Sequence, residues 1–163
     1  MEDFESGLQE IFVHPGEVRV ANTPAILRTV LGSCVGIVFW IPRLMFGALC
    51  HPMLPTISSY RQRERAPRST RYVDAAIECM IEKIDSLHVD RGEVQVKLFG
   101  GADVLHIDYR ANAPTVGQMN RETAVDILRK KGFRIVASSL GGDCGVQILF
   151  HTGTGEVRLR RLA

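Results

Sequence analysis

A chain of 163 residues with 45% hydrophobic and 23% charged residues has ordinary globular composition and is long enough to bury a core without disulfide staples. Its net charge of +2 excludes the strongly basic balance of a dedicated nucleic-acid binder. The acidic start MEDFESGLQEIF lacks the basic and apolar regions of an export signal, and no apolar run approaches the ~18 residues of a membrane span, so a cytoplasmic protein without membrane insertion is expected.

Residues 18–20, 25–31, 35–40 and 45–50 are rich in Val, Ile, Leu and Phe and read as short strands, with Pro42 and Gly47 flanking a turn region. Residues 56–71 follow, with five arginines and no apolar period, and read as a mobile surface loop or, alternatively, as a contact arm for an acidic surface. YVDAAIECMIEKIDSLHVD then places apolar residues at 73, 76, 77, 80, 84 and 87, the stripe of an amphipathic helix, with Ser69 or Thr70 as cap and Asp74 in its first turn.

EVQVKLFGG alternates and stops at the pair Gly100–Gly101, a strand entering a tight turn. A second helix fits 118–131, with Asn120 as a possible N-cap and Gly132 closing it, and strands at 134–139, 146–150 and 156–160 complete the chain. The order predicts one domain over residues 1–163: an α/β layered sandwich of mixed, largely antiparallel sheet with two main helices.

The chemistry-bearing feature is LRTVLGSCVGIVFW, residues 27–40, followed by GALCHPMLP. An active cysteine needs a neighbour that takes its proton, and His51, at the end of the run that precedes Pro52, is placed to do so for Cys34. If 35–40 and 45–50 form a hairpin, the two fall opposite each other at its open end. Gly32, Ser33 and Gly36 interrupt the strand pattern around the thiol, where backbone can bend or approach a substrate and turn N–H groups toward an oxyanion. The alternative is a buried small Cys34 beside a turn histidine. A metal site built from Cys34, Cys50, His51 and His14 is disfavoured, because Cys50 and His51 are adjacent on a strand and point to opposite faces. The four cysteines, at 34, 50, 79 and 144, show no C-x-x-C pairing and are expected as reduced thiols, Cys79 and Cys50 as inert packing residues.

These segments resemble the CheD family of chemoreceptor glutamine deamidases. The resemblance rests on LGSCVGIVFW and GALCHPMLP, and continues through RYVDAAIECMIEKI, KLFGGADVL, TVGQMN, GGDCG and TGTGEVRLRR, over residues 11 to 161. It implies a fold shared with the cysteine-hydrolase domain of deamidating bacterial toxins. It also implies hydrolysis of glutamine side-chain amides in methyl-accepting chemotaxis receptors, with no cofactor and no metal. Cys34 would be the nucleophile, His51 the base and Thr29 the third member, with Arg28 occupying the other register that some members use for the threonine. Backbone N–H groups around Gly32 and Ser33 would hold the oxyanion.

Gly100, Gly101, Gly141, Gly142 and Asp143 are expected substrate or partner contacts. GGDCG departs from the family's usual Gly-Gly-Asn followed by basic residues, and Cys50 replaces a small residue. Two other functions stay open. One is an adaptor that binds receptors or a CheC-type phosphatase without turnover; the other is a redox sensor that joins Cys34 to Cys50.

Overall fold

The computed structural model describes residues 4, 7–57, 69–104 and 113–163. Most of the arginine-rich stretch therefore lies outside the described residues. Among the described residues nine strands form: β1 (Glu10–Phe12), β2 (Val18–Ala21), β3 (Ile26–Leu31), β4 (Val35–Ile41), β5 (Phe46–Cys50), β6 (Gln95–Gly100), β7 (Arg134–Leu140), β8 (Val146–His151) and β9 (Val157–Arg161). Two helices join them, α1 (Val73–Ser86) and α2 (Val116–Lys130).

The strands make two sheets, one ordered β1-β3-β8-β9 and the other β2-β5-β4-β6-β7. Pairing is antiparallel except for β1–β3 and β6–β7, so the expected mixed, largely antiparallel α/β sandwich is what forms. Its layers follow from the period-two pattern of the central strand. Val35, Ile37, Phe39 and Ile41 of β4 pack with Val73, Ile77, Met80, Ala124 and Leu128 of the helices. Val38 of β4 faces the other way, against Leu27, Leu31, Ile148 and Phe150 of the four-stranded sheet. Burial on both faces explains why β4 reads as an unbroken apolar run.

Glycines on the inter-sheet face let the sheets approach closely. A Cβ on Gly36 would stand 2.8 Å from Leu31 Cδ1, and one on Gly47 the same distance from Thr152. Gly36 therefore serves sheet packing and not the substrate approach expected of it.

Three local expectations are corrected. Tyr72 starts α1 without a side-chain cap; the Thr70 hydroxyl donates to the Gly16 carbonyl instead, and Ser69 accepts from the Arg71 N–H. Leu87 lies past the last turn of α1 and is exposed, while Ile81 joins the buried stripe. The N-cap of α2 is Thr115, whose hydroxyl accepts from the Gln118 N–H, so Asn120 is a helix-interior residue. Strand β1 was not anticipated: it is three residues long and pairs parallel to β3. Among the described residues no helix is long and apolar enough to cross a membrane.

Candidate active site

The three residues Gly32, Ser33 and Cys34 are not mid-strand. They form the bend by which the chain leaves β3 in one sheet and enters β4 in the other. Each carbonyl of this bend is held. The Ala102 N–H donates to the Gly32 carbonyl at 2.9 Å, the Asn120 side chain to Ser33 at 2.9 Å, and the Gly101 N–H to Cys34 at 2.8 Å. In a planar trans peptide the C=O and the following N–H point to opposite sides. Tethering the Gly32 and Ser33 carbonyls therefore turns the N–H groups of Ser33 and Cys34 to the other side of the bend, the orientation an oxyanion site requires.

Gly100 and Gly101, expected as substrate or partner contacts, lie against this bend through their backbone. Both have positive φ, +88° and +62°, and a Cβ on Gly100 would collide with the Cys34 carbonyl. Gly141 donates its N–H to the Gly100 carbonyl and packs near Arg121, while Gly142 and Asp143 are exposed on the neighbouring turn. The Gly142 carbonyl accepts from the Asp103 N–H, so this turn is joined to the same scaffold. Arg121 completes it, donating to the Gly101 carbonyl at 2.7 Å, and Thr115 bonds the Asp103 carboxylate.

The hairpin of β4 and β5 forms, but its register pairs Ile37 with Cys50. Continued outward, that register sets Cys34 across from Met53 and His51 across from Gly36, so the thiol and the imidazole are diagonal neighbours and not directly opposed. The shift comes from the hairpin's loop: Pro42–Leu44 take a 3₁₀ turn and Met45 the left-handed conformation, which fixes Ile41 against Phe46. Diagonal positions lie about 7–8 Å apart at Cα, within reach of longer side chains. By strand alternation both face the gap between the sheets, and Val35 N–H donates to the Pro52 carbonyl at 3.3 Å beside them.

His51 is held through both backbone and ring. Its carbonyl accepts from Gly16 N–H at 2.7 Å, and its N–H donates to Glu17 at 2.9 Å. Its ring, only 2% exposed in the residue as a whole, reaches across to the other sheet, where Nδ1 lies 2.7 Å from the hydroxyl of the fully buried Thr29. That hydroxyl also lies 2.7 Å from the Val13 carbonyl. A carbonyl can only accept, so the hydroxyl proton goes to Val13 and the imidazole proton sits on Nδ1, donated to Thr29. This relay leaves Nε2 with its lone pair free to act as a base. Arg28, the other register for the third member, instead pairs with Glu10 at 2.5 Å.

Cys34 is half-buried and packs against the inter-sheet core. Burial raises its thiol above the ordinary range, opposed by its own backbone N–H, which favours the thiolate. Burial likewise lowers the His51 imidazole, opposed by the Val13 carbonyl. Both shifts favour the uncharged forms, thiol and imidazole, a combination in which Sγ can pass a proton to Nε2.

All four cysteines are free thiols. Cys50 is fully buried on the helix side of its sheet, where desolvation pushes its thiol far up. It faces away from the layer that holds Cys34 and His51, so a Cys34–Cys50 disulfide has no geometric support. Cys79 lines a surface groove of about 460 Å³ on the outer side of α1, with Asp74, Glu78 and Glu82, remote from the bend.

Sequence reasoning named Asn120 as a possible N-cap and within TVGQMN, but gave it no place at the site. The signal was present: Thr115-Val-Gly-Gln118 is a capping-box spacing, which fixes the helix start and leaves Asn120 five positions inside.

The family described as "CheD chemotactic sensory transduction" matches residues 53–161. The chain is 35% identical to "Probable chemoreceptor glutamine deamidase CheD" of Maridesulfovibrio salexigens, over 97% of this chain and 95% of that one. It is 37% identical to "Probable chemoreceptor glutamine deamidase CheD 2" of Geobacter sulfurreducens, over 95% and 91%. With the protein of the former name from Archaeoglobus fulgidus it shares 39% identity over 93% and 92%. The family match begins two residues after His51, whereas similarity over 93–97% of a 163-residue chain necessarily spans both Cys34 and His51.

Proposed function

The chain belongs to the CheD family, and from that premise we propose that it hydrolyses glutamine side-chain amides of chemoreceptors to glutamate and ammonia, with Cys34, His51 and Thr29 as its machinery. The observation that carries the assignment of residues is the Val13–Thr29–His51 relay, which presents a neutral imidazole with a free Nε2 beside the Cys34 bend.

Nε2 of His51 takes the thiol proton as Cys34 Sγ attacks the amide carbon. The carbonyl oxygen becomes an oxyanion that accepts from the Ser33 and Cys34 N–H groups. Collapse of the tetrahedral adduct breaks the C–N bond, and His51 gives its proton to the departing ammonia. A water, deprotonated by the now neutral His51, attacks the thioester; the glutamate carboxyl leaves, and Cys34 recovers its proton from His51. Thr29 never reaches substrate. Its hydroxyl holds the ring in one tautomer and stabilises the imidazolium that forms in each half-reaction. Residues 1–163 act as one domain in this scheme, in the cytoplasm, where the receptor helices that carry the glutamines would be met.

A second reading is an adaptor that engages receptors or a CheC-type phosphatase with little turnover of its own. The divergent GGDCG turn supports it, since Gly142 and Asp143 are exposed and the turn is joined to the scaffold of the bend through the Gly142 carbonyl and the Asp103 N–H. One experiment separates the two. A chemoreceptor cytoplasmic fragment is incubated with the protein and weighed by mass spectrometry for the gain of an NH₂-to-OH exchange. Conversion by the wild type and none by Cys34→Ala, with binding retained, is expected. Binding without conversion by the wild type leaves only the adaptor.

A further inference from the structure

We propose that Asn120 is a positioning residue of this reaction: it locks the Ser33–Cys34 peptide and the segment after His51 to one point on α2. The proposal rests on Cys34 being the nucleophile. Asn120 is fully buried in the second turn of a helix, an environment that ordinarily selects an apolar side chain. Its Nδ2 donates to two carbonyls of separate segments, Ser33 and Met53, each at 2.9 Å. Rotating the amide would set Oδ1 against both carbonyl oxygens, so the two bonds fix its orientation. Oδ1 is buried and has no hydrogen-bond partner among the described residues. A site that leaves an acceptor unpaired while using both N–H donors is built for the donors.

What the donors grip are the two sides of the chemistry. Ser33 C=O belongs to the same peptide plane as the Cys34 N–H, so anchoring the oxygen on α2 aims that N–H to the opposite side, where it is available to an oxyanion. Drawing on the carbonyl also polarises the peptide and strengthens its N–H as a donor. Met53 stands two residues past His51 and is held from the other side by the Arg71 carbonyl, which accepts its N–H at 2.7 Å. One side chain therefore ties the two segments together, in addition to the β4–β5 register that sets thiol and imidazole diagonally. The glycine one turn earlier, Gly117, lets α2 come close enough to do this, since a Cβ there would collide with the Ala102 carbonyl.

The test uses the full chain with Asn120→Ala and Asn120→Asp, and two readouts. The first is kcat and KM for receptor deamidation. The second is the rate of Cys34 alkylation by iodoacetamide against pH, read on the Cys34 peptide, which needs no turnover. Asn120→Ala is expected to lower kcat about 10²-fold, with KM held within about 3-fold, as for a misplacement of reacting groups by about an ångström. Its alkylation limb moves to higher pH as the Cys34 N–H loses its aim.

Asn120→Asp supplies an internal control. Its protonated carboxyl can still donate to one carbonyl, and its carboxylate to neither, so its activity relative to wild type recovers reversibly as pH falls. Wild-type kcat and an unmoved alkylation limb in both variants overturn the proposal. So does a loss that tracks unfolding by circular dichroism, with no pH-reversible recovery in Asn120→Asp. If the wild type itself deamidates nothing, the function reading fails, while the alkylation comparison still decides the role of Asn120.

Discussion

Replacing Thr29 by valine removes one hydroxyl and preserves the shape of the side chain. Thr29 is fully buried, and its oxygen stands 2.7 Å from both His51 Nδ1 and the Val13 carbonyl, so the substitution orphans a donor and an acceptor together. An unpaired buried group costs about 1–3 kcal/mol; the Val13 carbonyl lies close enough to the ring to recover part of this, leaving a net loss of about 1–3 kcal/mol for the pair. For a chain of this size that lowers Tm by roughly 2–12 °C. Catalysis suffers separately. With the Thr29 acceptor gone and only partly replaced by the Val13 carbonyl, the ring turns more freely and its other tautomer, with the proton on Nε2, becomes populated. A loss of about 1.4–2.8 kcal/mol in transition-state stabilisation corresponds to a fall in kcat of roughly 10- to 100-fold. KM should hold, because no part of Thr29 reaches the surface. Thr29→Ser keeps the hydroxyl and should stay within about 3-fold of wild type, a difference under 1 kcal/mol. Mass-resolved deamidation kinetics and thermal unfolding of both variants provide the measurement. Wild-type kcat in Thr29→Val refutes the relay, and equal losses in the two variants shift the role from the hydroxyl to the methyl group.

The lowered imidazole of His51 gives kcat/KM an acidic limb below the ordinary histidine value of about 6.5, since the base is competent only when neutral. The same shift sets a stability window: the unfolded chain binds the His51 proton at higher pH than the folded one, so stability declines as pH falls below about 6.5 and levels off past the folded value. Urea unfolding across that range should show the decline, and His51→Asn should flatten it. Cys34 gives the opposite slope: its raised thiol contributes stability below the ordinary thiol range and loses it as pH rises through the folded value, a loss that Cys34→Ala abolishes. Gly117→Ala, which would stabilise an exposed helix by up to about 1 kcal/mol, should instead destabilise this one by about 1–3 kcal/mol, because the new Cβ collides with the Ala102 carbonyl and stands 2.9 Å from that of Gly101. Since those residues hold the Cys34 bend, kcat should fall alongside Tm, and a raised Tm would contradict the described packing.

Most of the strands and both helices were legible because each carries a periodic apolar pattern long enough to count. β1 was not, since three residues with exposed and half-buried side chains make no pattern, and its pairing depends on a parallel neighbour sixteen residues on. The candidate pair Cys34 and His51 was legible from residue type and spacing, but its exact register was not, because the left-handed Met45 in the hairpin loop decides it. That Gly32–Cys34 is a crossing between sheets, and not an interrupted strand, follows from which strands pair, a long-range fact. Asn120 misled for a local reason: asparagine favours helix starts, and only the fold shows two carbonyls waiting for its amide. The glycines at 100 and 101 were legible as the end of a strand at a tight turn, but not that their positive φ serves a backbone crossing beside the Cys34 carbonyl, which depends on long-range pairing.

The bend that carries Cys34 is fastened by residues 101, 102 and 120, while the histidine that serves it is fastened by residues 16, 17 and 29. None of these contacts is local in the chain. Loops closed over such distances form late in folding, after the entropy of joining them has been met by the sheets themselves. A nascent or partly unfolded chain can thus hold much of its secondary structure and still have no assembled site. Enzymatic competence then becomes a sharper reporter of native docking than helix content, and under mild denaturant it should disappear with the first detachment of α2 from the five-stranded sheet.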